Sequence, residues 1–323
     1  MNGYMGKILQ VDLTSREFST IETAKYEKWG GGHGIGSAIF WDLCPDKTIS
    51  AFDPRNVITL MTTPLSGTLT PSAAGRTEVQ GIGPQPYPVE WFTRSNFGGR
   101  FSGMLKYAGW DGIVLVGKAD GPVWLDVRDE QVTIRDAKDL WGLDTYETQE
   151  EIWRQVAAGQ PLGDWLQGGA SRDGGRTTQR PAVVCIGPAG EHLSRIGSLI
   201  HDAGNGAGQG GFGGVWGSKN LKAISVLGTG SVEVADPNAL MQARIWLQQG
   251  YRYNVDDPVF EPPSIEAHGF GITQRYGFIT FHPGFGGVRT KDPESSRPQG
   301  CLGCPIDCRR RTQSGLSNES QCV

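Results

Sequence analysis

Short apolar runs rich in Val, Ile and Leu recur along the first two-thirds of the chain, broken by polar and glycine-rich stretches. Their length and β-branched content predict strands at Lys7–Leu13, Val57–Met61, Gly112–Val116, Val123–Val127, Val132–Arg135, Ala182–Ile186 and Leu221–Val226. Among these runs helices are predicted at Ile35–Leu43, Phe101–Ala108 and Thr145–Val156, where Ile152 and Val156 share a face. Strands and helices do not alternate regularly, so the pattern predicts an α+β domain and not a doubly wound sheet. Asp236-Pro237 offers an N-cap and a first-position proline ahead of Leu240, Ala243, Ile245 and Leu247 at helical spacing. The expected organisation is a β-rich domain over residues 1–230 and the start of a mainly helical one over 231–323. Between Pro161 and Arg180 the chain is Gly, Arg, Ser and Thr with little apolar content, which predicts an exposed, mobile loop.

Composition adds one large departure. The chain has 48 glycines in 323 residues, about twice the usual share of roughly 7%. They gather at Gly30–Gly36, at Gly98-Gly99 and at Gly204–Gly217. One such cluster reads as a turn; three in one chain point to a large ligand approached by main chain. A net charge of −4 argues against a nucleic-acid or membrane-surface partner, since both need a basic face. The N-terminus lacks the apolar core of a signal peptide, and no apolar run nears the roughly 18 residues that span a bilayer, so a cytoplasmic location is expected. In that reducing compartment six cysteines favour metal binding over a disulfide framework.

The sharpest local motif is Cys301-Leu302-Gly303-Cys304-Pro305-Ile306-Asp307-Cys308. Three thiolates on one tight loop suit three corners of an Fe–S cube, with a fourth ligand from elsewhere. Zinc is the alternative, although it usually wants a second ligand pair and only Cys322 follows. Arg309-Arg310-Arg311 set three cations beside such an anionic cluster, or else form a solvated basic turn. Cys44 and Cys185, in apolar surroundings, read as core thiols. Residues 206–211 spell G-x-G-x-x-G, but more glycine follows where a dinucleotide-binding fold needs a helix of some ten residues, so that fold is rejected. The run offers instead unobstructed N–H groups to a phosphate or a flat heterocycle. Arg76 after small residues, and Arg94, Asn96 and Arg100 around Gly98-Gly99, offer guanidinium forks and close backbone approach, though each stretch alone reads as a turn. The five histidines form no metal-spaced pair.

Taken together and in this order, these stretches resemble the N-terminal half of the aldehyde:ferredoxin oxidoreductase family of tungsten bis-pterin enzymes. The resemblance runs through Gly6–Thr14, Pro64–Thr68, Leu105–Asp111, Ile186–Glu191 and Gly217–Ala223, with the cysteine triplet downstream. It implies a first domain of two β-sheets forming a saddle for two molybdopterins, followed by mostly helical domains. Tungsten or molybdenum would sit between the pterins, and Mg²⁺ would bridge their phosphates, held by main-chain groups of Asn96 and Gly206. Arg76 would hold a pterin phosphate, Asn96, Phe97 and Gly98 would line the pterins, and Asn205, Gly206, Ala207 and Gly208 would meet them with backbone. Cys301, Cys304 and Cys308 would bind a [4Fe–4S] cluster. The implied reaction interconverts aldehydes and carboxylic acids, with electrons passing to ferredoxin or a small Fe–S subunit, in a homo-oligomer or a multi-subunit complex. A relative that reduces an aromatic-ring thioester would share these motifs, and a non-catalytic, metal-stabilised scaffold subunit is the reading of a different class. Two departures stand out. Many relatives place an arginine where this chain has Asn205, so Arg94 or Arg100 is expected to supply the charge. The family's fourth cluster cysteine, its Asp-x-x-Gly-Leu pterin motifs and its active-site Glu and His are expected past Val323, in a longer chain or another polypeptide.

Overall fold

A computed structural model describes residues 2–70, 74–157, 164–167, 175–202, 204–250, 296–299, 301–303, 309–312 and 319–320. They belong to two compact units, Met1–Thr68 with Ala74–Ala235, and Leu69–Ala73 with Asp236–Val323.

The first half of unit one builds a six-stranded sheet. Its elements are β1 (Lys7–Asp12), β2 (Glu17–Glu22), α1 (His33–Leu43), β3 (Ile58–Met61), β4 (Thr77–Gly83), β5 (Trp91–Phe97), α2 (Phe101–Tyr107) and β6 (Gly112–Val116), in spatial order β2-β1-β6-β3-β4-β5. β1 and β6 are parallel and every other pair is antiparallel. The second half repeats the plan with β7 (Val123–Arg128), β8 (Gln131–Asp136), α3 (Thr145–Ala157), the short pair β9 (Leu166–Gln167) and β10 (Arg176–Thr177), β11 (Ala182–Cys185), α4 (Pro188–Glu191), β12 (Leu199–His201), β13 (Asn205–Ala207), α5 (Phe212–Ser218) and β14 (Leu221–Leu227). Its six-stranded sheet runs β13-β12-β11-β14-β7-β8, with β14 and β7 parallel. The fold is thus the expected α+β arrangement of two sheets.

Burial explains which strands announce themselves. β3, β11 and β14 are buried at every position, so their apolar runs are continuous. One large core cluster joins Ile8, Val11, Leu60, Ile113 and Leu115 of the first sheet to Leu125, Val184, Ile224 and Val226 of the second. A smaller cluster forms where Ile152 and Val156 of α3 pack with Trp124, Val183, Cys185 and Ala223, so the predicted helix face is the one that is buried. Cys44 and Cys185 are buried, and burial pushes the Cys185 thiol up to about 12. Of the expected loop at Pro161–Arg180, the described residues include the β9–β10 pair, so part of that stretch is paired backbone.

Two stretches differ from expectation. The segment holding Arg94, read singly as a turn, supplies β5 of the β4–β5 hairpin, in which Glu78 pairs with Asn96 and Gln80 with Arg94, whereas Arg76 follows a turn at Ala74 and Gly75 just ahead of β4. The glycine-rich segment ahead of Leu221 holds helix α5, which is buried throughout. The strand before it, β13, is antiparallel to β12, so no parallel β-α-β unit arises here.

In unit two, α6 (Pro237–Gly250) starts as read: Asp236 Oδ1 accepts the Ala239 N–H at 2.9 Å. A small antiparallel sheet of β15 (Ser296–Gln299), β16 (Arg309–Thr312) and β17 (Glu319–Ser320) follows. The three arginines therefore sit on a paired strand and not in a turn. No described helix is long and apolar enough to cross a membrane.

Candidate functional site

The edge strands β5 and β13, one from each sheet, approach within 8 Å between Cα atoms. They carry Asn96 and Phe97, and Asn205, Gly206 and Ala207, of the cofactor-binding residues expected from sequence. The turn after β13 is pinned to the first sheet, where the Gln209 N–H donates to Ser95 Oγ at 3.2 Å and the Gly210 N–H to Gln85 Oε1 at 2.5 Å.

The glycines around β13 divide into two kinds. A Cβ on Gly211 would lie 2.1 Å from the Arg195 carbonyl oxygen, and one on Gly217 would lie 2.0 Å from that of Gly190. These glycines are required by the fold itself, because they let α5 press its backbone against the 190–197 segment. Gly206 and Gly208 are different. Both are exposed, and a Cβ would meet nothing nearer than Ile200 Cδ1 at 3.3 Å or Ser198 Oγ at 3.9 Å. Protein packing does not demand glycine at either position, which leaves a ledge of open main chain beside β5.

Next to that ledge, Asn205 is buried, and its Nδ2 has no hydrogen-bond partner among the described residues. A buried amide left unpaired costs about 1–3 kcal/mol, so an acceptor supplied from outside the described residues would satisfy it. Ala207 is buried. Asn96 is exposed and its Oδ1 accepts from Arg76 Nη1 at 2.9 Å. Phe97 differs from the expectation that it lines a cofactor: its side chain is fully buried against Phe101 and His201, with ring centroids 5.5 and 5.8 Å away. Only its backbone remains to face a ligand. Gly98 is buried beside it.

Arg100 is likewise not at liberty. It donates to Asp202 at 3.1–3.3 Å, to the Pro181 carbonyl at 2.8 Å and to the Arg180 carbonyl. Burial works to raise the Asp202 pKa, but His201 and Arg100 together hold it below the usual carboxylate range. His201 is buried, with Nδ1 donating to the Val183 carbonyl at 2.7 Å. Of the two arginines expected to make up for Asn205, only Arg94 stays on the surface, 59% exposed, with Nη1 3.3 Å from Glu78 Oε1. Glu78 was not singled out from sequence, although its place in the alternating Thr77-Glu78-Val79 pattern is the signal that marks an outward carboxylate. A cleft of about 770 Å³, lined in part by Trp29, His33, Ser37 and Trp41, opens along α1.

Three lysines in the motif stretches are structural. Lys106 donates to Asp111 and to the Gly3 carbonyl at 2.6 Å. Lys222 Nζ lies 2.5 Å from Glu191 Oε1 and 2.8 Å from the Leu143 carbonyl. Lys219 donates to the carbonyls of Pro54 and Gly117 at 3.0 and 2.9 Å, and burial lowers its pKa to about 7. Each ties its own segment to one far away in the chain, so these motifs mark a particular fold.

The sequence profile described as "Aldehyde ferredoxin oxidoreductase, N-terminal domain" matches residues 8–228. The chain belongs to the aldehyde ferredoxin oxidoreductase family. A tungsten-containing aldehyde ferredoxin oxidoreductase of Pyrococcus abyssi is 34% identical, over 96% of this chain and 49% of that protein. An aliphatic sulfonate oxidoreductase, WOR-like subunit, of Pyrococcus furiosus is 32% identical over 73% of this chain and 36% of that protein. Among solved structures, the active-site complex BamBC of benzoyl coenzyme A reductase, determined with 1,5-dienoyl-CoA, matches with a TM-score of 0.76 and 25% identity, over all of this chain and 49% of that one. The chain spans about half the length of these relatives, and the aldehyde ferredoxin oxidoreductases among them are enzymes.

In unit two, Cys301 lies partly exposed in the turn Cys301–Gly303, and Arg244 donates to the Leu69 carbonyl at 3.1 Å and to the Gly303 carbonyl. Cys304 and Cys308 lie outside the described residues.

Proposed function

We propose that the chain is the pterin-binding half of a tungsten- or molybdenum-dependent oxidoreductase that interconverts aldehydes and carboxylic acids. The single observation that carries this is the ledge at Gly206 and Gly208, where main chain is bare although the fold leaves room for side chains. Family membership supports it. Residues 1–230 form the pterin-binding domain in this reading, and 231–323 begin a mainly helical domain that carries the iron–sulfur ligands. When bound, the metal and its pterin dithiolenes supply the two-electron chemistry. This chain's residues bind and orient. Arg76 donates to a pterin phosphate, with Asn96 fixing the angle of its guanidinium. Asn205, Gly206, Ala207 and Gly208 meet the pterins with backbone, the Asn205 amide gaining its missing acceptor. Backbone at Phe97 and Gly98 would line the site, and main-chain groups of Asn96 and Gly206 would hold a Mg²⁺. Cys301, Cys304 and Cys308 would hold a [4Fe–4S] cluster, which would supply one-electron transfer toward ferredoxin or a small Fe–S subunit.

A second reading is favoured by the TM-score of 0.76 to the benzoyl coenzyme A reductase complex: the site half of an enzyme reducing an aromatic acyl-CoA ring. Activity with an aldehyde against activity with an aromatic acyl-CoA separates the two. Elemental analysis tests what they share. Tungsten or molybdenum with about four iron per chain is expected, and zinc alone would sink both. Cys304→Ala is expected to abolish the broad visible absorbance of the cluster; an unchanged spectrum refutes the ligand assignment.

A further inference from the structure

The cleft along α1 takes no part in the proposed cofactor site, since none of its lining residues belongs to the set expected to meet the pterins. Gly34, Ser37 and Ala38 line it from one face of the helix, at i, i+3 and i+4, and all three are half-buried. Trp29 and Trp41 line it too, yet their side chains stay 53% and 68% exposed. Trp29 is set there by backbone packing: a Cβ on Gly34 would lie 2.1 Å from the Trp29 carbonyl oxygen, so glycine lets the short turns Thr23–Lys25 and Glu27–Trp29 press against the helix. The volume of about 770 Å³ falls in the range of roughly 300–1,000 Å³ that holds small molecules.

The charged groups around the cleft have one sign to spare. Lys25, Lys28 and Lys47 rest their ammoniums over Tyr26, Trp29 and Trp41, at 5.1, 5.2 and 4.9 Å from the ring centroids. None of the three meets a carboxylate in an ion pair among the described residues. The carboxylate in the lining, Asp42, already accepts the Tyr26 O–H at 2.8 Å. Donors are present as well. Gln80 Nε2 donates to His33 Nδ1, which leaves the ring proton of His33 on Nε2, and it donates to Ser37 Oγ at 3.2 Å, which leaves the Ser37 hydroxyl hydrogen to donate in turn.

We propose that this cleft is a second small-molecule site and that its ligand is a flat aromatic carboxylate. Small side chains on the helix let a ring lie close, and the two exposed indoles offer it apolar faces and edges. The ammoniums and the O–H and N–H donors suit the carboxylate, while a cationic ligand would find its one counter-charge occupied. The proposal does not depend on the pterin reading.

The purified chain is titrated by calorimetry with 2-naphthoate, with 2-naphthalenemethanol, which keeps the rings without the charge, and with cyclohexanecarboxylate, which keeps the charge without a flat ring. 2-Naphthoate is expected to bind at a single site, more tightly than either of the others, and more weakly as salt is added. Trp41→Ala should weaken it about 3- to 10-fold, and Lys28→Gln about 2- to 5-fold. Ala38→Leu, which puts a larger side chain into the cleft, should abolish binding, and Trp165→Ala, an exposed indole outside it, should change nothing. The unfolding midpoint of Trp41→Ala should match wild type, because the ring is mostly in solvent; should this variant fail to fold, Lys28→Gln and Ala38→Leu decide. No binding of 2-naphthoate, binding that survives Ala38→Leu, or equal affinity for the three compounds overturns the proposal. So does a dimer of the wild-type chain in sedimentation that Trp41→Ala dissolves, since the cleft would then belong to a second copy.

Discussion

Replacing Lys222 by methionine removes the cation from a pair that is almost fully dehydrated, with side chains 0% and 1% exposed for Lys222 and Glu191. In the native fold Lys222 Nζ donates to Glu191 Oε1 at 2.5 Å and to the Leu143 carbonyl at 2.8 Å, and the same carboxylate accepts the Gly142 N–H at 2.9–3.0 Å. Without the lysine, Glu191 keeps one N–H donor and must either stay charged in a dry site or bind a proton. Breaking one partner of such a pair costs about 3–5 kcal/mol. For a domain of 150–250 residues, each kcal/mol lowers the midpoint by about 2–4 °C, so a fall of roughly 6–20 °C is expected by calorimetry. Glu191→Leu alone is expected to cost a similar amount. The double variant Lys222→Met/Glu191→Leu should lose clearly less than the two singles summed, by at least about 1–2 kcal/mol in a urea titration, because neither charge is then orphaned. Additive losses, or a Lys222→Met cost below about 1 kcal/mol, would show that the pair is hydrated in solution and refute the structural role given to this motif.

Lys219 makes stability depend on pH. Burial lowers its folded pKa to about 7, against roughly 10.4 in an unfolded chain. Below pH 7 both states hold the proton and the fold bears the full cost of a buried ammonium; between about pH 7 and 10 the fold sheds the proton first, so this residue's contribution to stability improves as pH rises. Urea titrations at pH 7, 8 and 9 should show that Lys219→Met flattens this rise, and equal slopes in the two proteins would count against it. Gly217→Ala forces a Cβ to within 2.0 Å of the Gly190 oxygen. It should therefore cost about 1–3 kcal/mol or more, measured as a lower unfolding midpoint; a neutral result would mean that α5 and the 190–197 segment are not packed backbone to backbone.

The sequence announces its buried strands and conceals its edges. β14 and β11 are readable because both of their faces are covered and every position is buried. β2 is almost wholly exposed, and its polar residues look like loop. β4 and β5 contain Gly81, Gly83, Arg94 and Asn96, which individually favour turns, and only their mutual pairing makes them strands. Helix α5 is hidden for the opposite reason: its glycines oppose helix formation locally and are kept for contact with Gly190 and Gly197. At the site, Arg76, Asn96 and Gly206 were marked by family resemblance, and the expectation that three glycine clusters serve one ligand was too broad. Gly211 and Gly217 serve packing, whereas a Cβ on Gly208 would meet nothing nearer than 3.9 Å. The partners of Arg100 and Lys222 could not be foreseen, since Asp202 and Glu191 lie 102 and 31 residues away in the chain.

In the proposed function, bare main chain at Gly208 is reserved for a pterin. Gly208→Val places its side chain where the protein has nothing nearer than 3.9 Å, so the unfolding midpoint should not move. Pterin fluorescence after oxidative release from the purified chain should then fall to background, alongside a wild type that gives a clear signal. A Gly208→Val protein that is equally stable and still carries the wild-type amount of pterin would contradict a pterin seat at Gly208.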